Sequence, residues 1–247
     1  MIPIKSEKDL QMLRRSAQIL SAVMRKVQKS VRPGITTLDI DRLSEELILK
    51  EKALPAFKGY KGFPATACVS VNEEIVHGIP SPRVILEGDI VSIDLGVDYQ
   101  GYFSDMAVTL PVGRVDENKR KLIEVTRKAL DAGIRQAHAG NYLSDISHSI
   151  QSFVEDHGFS VVRQFVGHGI GAALHEEPEI PNFGDAHLGP LLKKGMVLAI
   201  EPMVNVGGWE CFIAKNGWTA LTKDGLASAH FEHTVAVTDK GPLILTE

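Results

Sequence analysis

The sequence predicts a single α+β domain, residues 1–247, built from two pseudo-twofold-related halves of approximately 1–112 and 113–247. Three observations predict it. First, a pair of helical patterns followed by strand-like runs occurs twice along the chain. Second, glycine-anchored motifs recur. Gly34 leads at +5 and +6 to Asp39-Ile40 as Gly140 leads to Asp145-Ile146, and Gly88 leads at +6 to Asp94 as Gly195 leads to Glu201. The offset is 106 residues for the first pair and 107 for the second, so two separate anchors agree within one residue. Third, no Pro/Ser-rich linker divides the halves.

Each element has its own signal. Leu10, Leu13, Ala17, Leu20 and Met24 recur at helical steps behind Ser6, a suitable N-cap, and Arg32-Pro33-Gly34 ends the run. Leu38, Ile40, Leu43, Leu47 and Ile48 predict a second helix, closed by Pro55. Between Gly59 and Pro111, β-prone runs (Ala67 to Val71, Ile90 to Leu95, Met106 to Leu110) alternate with Gly/Pro turns. Further helices are expected from about Glu117 to His138 and from Leu143 to His157, after which strand-like segments return.

Composition excludes several classes. The 247 residues are 44% hydrophobic and 23% charged, too apolar for a disordered chain. Two cysteines, Cys68 and Cys211, cannot build a disulfide scaffold. The net charge of −4 argues against a general grip on nucleic acid. No apolar run reaches the roughly 18 residues of a membrane span, and the N-terminus has no signal-peptide apolar region. Two free thiols without an export signal predict a cytoplasmic protein.

The chemistry is announced by acids in unfavourable places. Asp94, Asp105, Glu201 and Glu232 each sit in a run that otherwise reads as a buried strand. An isolated buried carboxylate costs several kcal/mol or more. The strands offer no Lys or Arg; Arg83, Lys193 and Lys194 only flank them. Any one acid alone reads as an exposed edge residue, and two together as a pair sharing a proton. Four acids, two of them at equivalent positions of the repeat, are better explained by two divalent cations. His168, among Gly167, Gly169 and Gly171, reads either as a ligand or as a core histidine. An oxygen-rich set with one imidazole suits Mn, Fe, Co or Zn. His138, His148, His157, His187, His230 and His233 call for no role beyond structure. There is no Gly-x-Ser-x-Gly elbow, His-Glu-x-x-His motif or phosphate loop.

Taken in order, Asp94, Asp105, His168, Glu201 and Glu232 resemble the dinuclear metal site of the methionine aminopeptidases, in their short bacterial type I form. The flanking Val-Gly-His-Gly-Ile-Gly, Leu-His-Glu-Glu-Pro and Phe-Glu-His-Thr segments are similar to that family's signatures, as are Ser70-Val71-Asn72-Glu73 and Val76-His77-Gly78-Ile79-Pro80. The resemblance implies the pita-bread fold, with a central antiparallel sheet, and two divalent metal ions held by those five residues, with Asp105 and Glu232 bridging. It implies that a metal-bridging hydroxide removes the N-terminal methionine of nascent polypeptides, preferably before a small residue. Glu201 would relay the proton, and His77 and His175 would contact the scissile amide and the developing oxyanion.

Phe57, Tyr60, Phe63, Cys68, Leu174 and Trp218 match the family's methionine pocket, with His77 and His175 at its edge. Leu174 stands where bacterial relatives commonly carry an aromatic residue, and Phe57 where a smaller one is frequent. The 33 positions between His168 and Glu201 leave no room for the helical insertion of the longer type II enzymes, and no N-terminal zinc-binding extension is present. A proline-directed peptidase on the same fold would usually carry an extra N-terminal domain, whereas helix signals here begin within ten residues of the start. A non-catalytic peptide- or ribosome-binding scaffold would have lost ligands. The resemblance further implies a monomer with transient ribosome contact and no membrane partner.

Overall fold

The computed structural model describes residues 1–247. Helix α1, Glu7–Ser30, opens on a capping box: the Asp9 amide donates to Ser6 Oγ at 3.2 Å and the Ser6 amide to Asp9 Oδ2 at 2.9 Å. Its apolar stripe buries Leu13, Ala17, Leu20 and Met24, as the periodicity predicts. Helix α2, Thr37–Lys50, opens on the same device, made by Thr36 and Asp39. Pro55 does not close it. The helix ends at Lys50, Lys52 turns the chain with φ +58°, and Pro55 enters the short strand β1, Leu54–Pro55, at the sheet edge. An edge strand tolerates a residue without an N–H.

Strands β2 (Ala67–Val71), β3 (Ile90–Tyr99) and β4 (Tyr102–Pro111) follow; the last two outrun their sequence-predicted cores. Both β2 and β4 pair antiparallel with β3, and β1 joins β3 near its far end. The second half begins with α3, Glu117–Ile134, and α4, Leu143–Asp156. The third helix stops four residues short of His138, because the chain turns through Gln136–His138 to bring Gly140 beside Leu192.

Ten strands complete the chain. They are β5 (Ser160–Val161), β6 (Gly167–Gly169), β7 (Glu176–Ile180), β8 (Val197–Ile200), β9 (Met203–Asn205), β10 (Cys211–Ile213), β11 (Ala220–Thr222), β12 (Ser228–His230), β13 (His233–Thr238) and β14 (Gly241–Ile244). The largest sheet of this half runs β14-β13-β8-β6-β7, and β12-β9-β5 forms a smaller one. All pairings are antiparallel.

The sequence repeat has a hydrogen-bonding equivalent. Gly34 N donates to Ile85 O and Gly140 N to Leu192 O, each at 2.9 Å and each with φ above +90°. Asp39 and Asp145 both accept the backbone N–H of the residue three before them, Thr36 at 2.9 Å and Tyr142 at 2.8 Å. Bridges Thr36↔Val84 and Tyr142↔Leu191 complete the match. The Gly-to-Asp spacing is therefore a turn followed by a helix start, used twice.

Strand β4 meets β12 and β13 along a seam closed by two threonines. Thr234 Oγ1 accepts from Asp105 N at 3.0 Å and donates to Asp105 O at 2.8 Å. Thr109 Oγ1 accepts from His230 N and donates to His230 O, both at 2.8 Å. All four residues are buried, so neither hydroxyl has a water substitute. Replacing Thr234 with Val keeps the shape and leaves both Asp105 backbone groups unpaired. Thr234→Val is expected to lower the unfolding free energy by about 1–3 kcal/mol. Denaturant titration checks this, and an unchanged midpoint would remove the seam from the stability argument.

Candidate functional site

The seam and the antiparallel registers assemble one cleft. On β3 and β4, Asp94 lies opposite Ala107 and Asp105 opposite Gly96. The two acids are therefore diagonal neighbours on one face of the sheet. Glu232, between β12 and β13, donates its amide to Ala107 O at 2.9 Å, which brings its side chain to the same place. His168 on β6 lies opposite Ala199 of β8, and Glu201 immediately follows β8. The glycines beside His168 have a steric reason. A Cβ at Gly167 would stand 2.4 Å from Ala199 O, and one at Gly169 would stand 2.1 Å from Glu177 O. His168 Nδ1 donates to Gly169 O at 2.8 Å, which leaves Nε2 free, 3.5 Å from Glu201 Oε1.

A cavity of about 170 Å³ is lined by all thirteen residues singled out in the sequence, together with Lys61. One side is apolar: Phe57, Phe63, Cys68 and Leu174 pack in a cluster with Tyr60 and Trp218. Phe63 meets Trp218 edge-on at 5.2 Å, and Phe57 fits against the backbone of Gly96. The opposite side holds Asp94, Asp105, His168, Glu201 and Glu232. Between them stand His77 and His175. His175 stacks on Tyr60, with Nδ1 2.9 Å from the Tyr60 hydroxyl, and its ring lies 4.2 Å from that of His168. The loop before His175 is fastened by Glu176, whose carboxylate pairs with Lys5 and accepts from Ala172 N at 2.8 Å. His77 is held at φ +58°, an uncommon conformation for a residue with a Cβ, and its carbonyl accepts from Thr219 Oγ1 at 3.2 Å.

Electrostatics sets the acids apart from ordinary surface carboxylates. Burial, with the neighbouring Glu201 charge, pushes Asp94 up to about 7, and burial pushes Glu201 up to about 7. Asp105 and Glu232 are pushed well above the carboxylate range, first by burial and then by the other acids. Burial lowers His77 to about 4 and His175 to about 3, with neighbouring histidines adding to both effects. Both rings are neutral near pH 7. No strong cation relieves the acids. Lys61 is exposed and lies over the Tyr60 ring, Arg83 pairs with Glu74, and Lys194 pairs with Asp239.

The donor set fits divalent metal. Asp94 Oδ1 and Glu232 Oε1 are buried without a hydrogen-bond partner. Ligand atoms of Asp105, His168 and Glu232 lie within 4.8 Å of one another, and so do those of Glu201, His230 and Glu232. Buried, unpaired and mutually repelling oxygens beside imidazole nitrogens are the surroundings that hard to borderline cations take. Asp94 falls outside both triads but lines the same cavity.

His230 is the residue that sequence reasoning passed over. The sequence gives it no role beyond structure, yet it is buried beside Glu201, with Nε2 3.6 Å from Glu201 Oε2. The available signal was its position two residues before Glu232. The other histidines given that role stay outside: His233 Nδ1 meets Thr246 Oγ1 at 2.9 Å, and His148 and His157 bond backbone carbonyls.

This fold and acid-lined cleft define a class of metal-dependent peptidases. Residues 11–239 match metallopeptidase family M24, and the chain belongs to that family. Over 247 residues it is 50% identical to a methionine aminopeptidase of Clostridium acetobutylicum, covering 100% of this chain and 99% of that protein. The crystal structure of methionine aminopeptidase from Thermotoga maritima superposes with a TM-score of 0.99 at 47% identity, with both chains fully covered. Within the family the chain thus falls among the methionine aminopeptidases. The pita-bread fold alone extends to the prolidase of Pyrococcus furiosus, at 24% identity and a TM-score of 0.81, where this chain covers 65% of the other.

Bound cations should stabilise the fold by mass action, by about 2.7 kcal/mol at a hundredfold excess over Kd. Adding a divalent ion to chelated protein at pH 8 is expected to raise Tm. Glu232→Gln is expected to lose that rise, while its metal-free Tm is no lower than wild type because one buried like charge is gone. Differential scanning calorimetry reads both. A wild-type Tm indifferent to every divalent ion would contradict the cation assignment.

Proposed function

We propose that the chain removes the N-terminal methionine of nascent proteins and peptides by metal-dependent hydrolysis, preferring a small second residue. One observation carries this reading: a single cavity joins an aromatic and aliphatic chamber to a cluster of acids, with two neutral histidines at the junction. At about 170 Å³ the cavity is well below the roughly 300–1,000 Å³ of pockets for drug-sized ligands, and suits one residue of a peptide. Ring contacts with a thioether contribute about 0.3–1.5 kcal/mol each, which favours methionine in the chamber of Phe57, Tyr60, Phe63, Cys68, Leu174 and Trp218.

Asp94, Asp105, His168, Glu201 and Glu232 would hold two divalent ions (Co, Mn, Fe or Zn), with Asp105 and Glu232 shared between them. When bound, the ions supply positive charge that offsets the carboxylates and acidifies water. Glu201 takes the proton of the attacking water and delivers it to the departing amine. With the Tyr60 O–H donating to Nδ1, His175 carries its proton on Nε2 and donates to the oxygen on which negative charge grows. His77, neutral and fixed by its backbone, contacts the scissile amide. Two halves, near 1–112 and 113–247, would form one catalytic domain, and each supplies ligands.

No helix of the chain is long and apolar enough to cross a membrane. Cys68 and Cys211 are both free thiols. On the proposed reading the chain is a cytoplasmic monomer that meets polypeptide N-termini during synthesis, with transient ribosome contact.

Peptides beginning Met-Gly, Met-Leu and Ala-Pro test the substrate. Met-Gly is expected to be cleaved fastest and Ala-Pro not at all, by chromatography of the products. Release from Ala-Pro alone would transfer the chain to the proline-directed peptidases. His175→Ala is expected to lower kcat on Met-Gly by about 10² or more with metal content retained. Unchanged kcat would remove His175 from the chemistry.

A further inference from the structure

His175 stands on the least protected stretch of the cleft wall. Residues 170–175, between β6 and β7, form neither helix nor strand, and Ala172, Ala173 and His175 are exposed. The His175 ring makes one hydrogen bond, to the Tyr60 hydroxyl. What fixes this stretch lies behind it. The Glu176 side chain turns inward and is 11% exposed. Its Oε1 accepts from Ala172 N at 2.8 Å and from Ala173 N at 3.2 Å, and its Oε2 pairs with Lys5 Nζ.

Lys5 reaches Glu176 across 171 positions of sequence, and its side chain is 8% exposed. It directly precedes Ser6, the N-cap of α1, and its backbone N–H donates to Gly195 O at 2.8 Å. Two loops leave room for it. A Cβ at Gly171 would stand 2.3 Å from Lys5 Cε, and one at Gly195 would stand 2.9 Å from Lys5 O. A carboxylate bonded to two amides and one ammonium is held by charge-assisted contacts. Without the ammonium it is a buried charge with no partner, and it gains by swinging out to water. That swing releases the amides of Ala172 and Ala173 and moves the residue next to Glu176, which is His175.

Resting on the role given to His175 above, we propose that Lys5 is a positioning residue of the active site, setting the His175 ring through Glu176. The first residues of the chain are thus part of the catalytic apparatus, although none of them lines the cavity. A sub-ångström to ångström displacement of a group aimed at a reacting atom is enough to cost a large factor in rate.

The test uses the full-length protein, Lys5→Met, and the double variant Lys5→Met/Glu176→Gln. The neutral amide oxygen of the double variant can still accept from both loop amides, and no charge is left unpaired. On a Met-Gly peptide, Lys5→Met is expected to lower kcat by about tenfold to a hundredfold, and the double variant to return it to within about threefold of wild type. The second readout is independent of turnover: NMR of ring-labelled histidine in metal-free protein, with the His175 signal assigned by its loss in His175→Ala. That signal should move in Lys5→Met, as the ring leaves its stack on Tyr60, and return in the double variant. A His175 signal unmoved in Lys5→Met, or a double variant no better than the single one in both readouts, would overturn the proposal. If Lys5→Met does not fold, the double variant decides: a His175 signal at its wild-type position supports the proposal and a displaced one overturns it. Failure of the wild type to cleave Met-Gly would overturn the proposed function instead, with the NMR comparison still deciding whether Lys5 sets the ring.

Discussion

Everything in this structure answers to one constraint: four carboxylates are gathered in a buried cleft with no lysine or arginine paired to them. Desolvation raises all four above the ordinary carboxylate range, and repulsion from neighbouring acids adds to the effect at Asp94, Asp105 and Glu232. A fold gains nothing from that arrangement alone, because each unpaired buried charge opposes folding. The surrounding sheets must therefore be stable enough to hold it. They do so with long antiparallel strands, a large core beneath them that includes Ile90, Ile93, Leu198 and Val235, and helices across the outer face.

Residues from well-separated parts of the chain share that burden. Asp94 and Asp105 come from strands of the first half, and His168, Glu201 and Glu232 from the second. Neither group alone makes up the acid cluster that lines the cavity. The threonine pairs at the seam, Thr109 with His230 and Thr234 with Asp105, link backbone groups directly beside the acids. The same hydroxyls that join the halves thus fix the position of the chemistry. A shift between halves would break backbone hydrogen bonds and ligand geometry together.

Much of this was legible in the sequence, for identifiable reasons. Helix starts were readable at Ser6 because capping is local, its two partners Ser6 and Asp9 lying three positions apart. The repeat was readable because Gly34 and Gly140 serve the same turn and Asp39 and Asp145 the same cap. The acids stood out because the buried-strand runs around them made their burial costly. What escaped depended on partners distant in the chain. Pro55 reads as a helix stop, but whether a proline ends a helix or enters an edge strand is decided by β3, forty residues on. His230 carries no mark of its own. Its neighbours give it an ordinary strand context, and only the meeting of β12 with β4 turns it towards Glu201.

The apolar chamber is part of the same electrostatic design as the acids. Phe57, Phe63, Leu174 and Trp218 exclude water from one side of the cleft, and a poorly hydrated site strengthens every charge interaction beside it. The dryness that raises the carboxylates also keeps His77 and His175 unprotonated. A neutral imidazole near growing negative charge can donate a hydrogen bond without competing as a cation for the carboxylates. Filling the chamber with a side chain removes still more water. On the proposed function, substrate selection and activation of the polar half would be two effects of one apolar wall, and a substrate whose first side chain leaves the wall wet would lose rate as well as affinity.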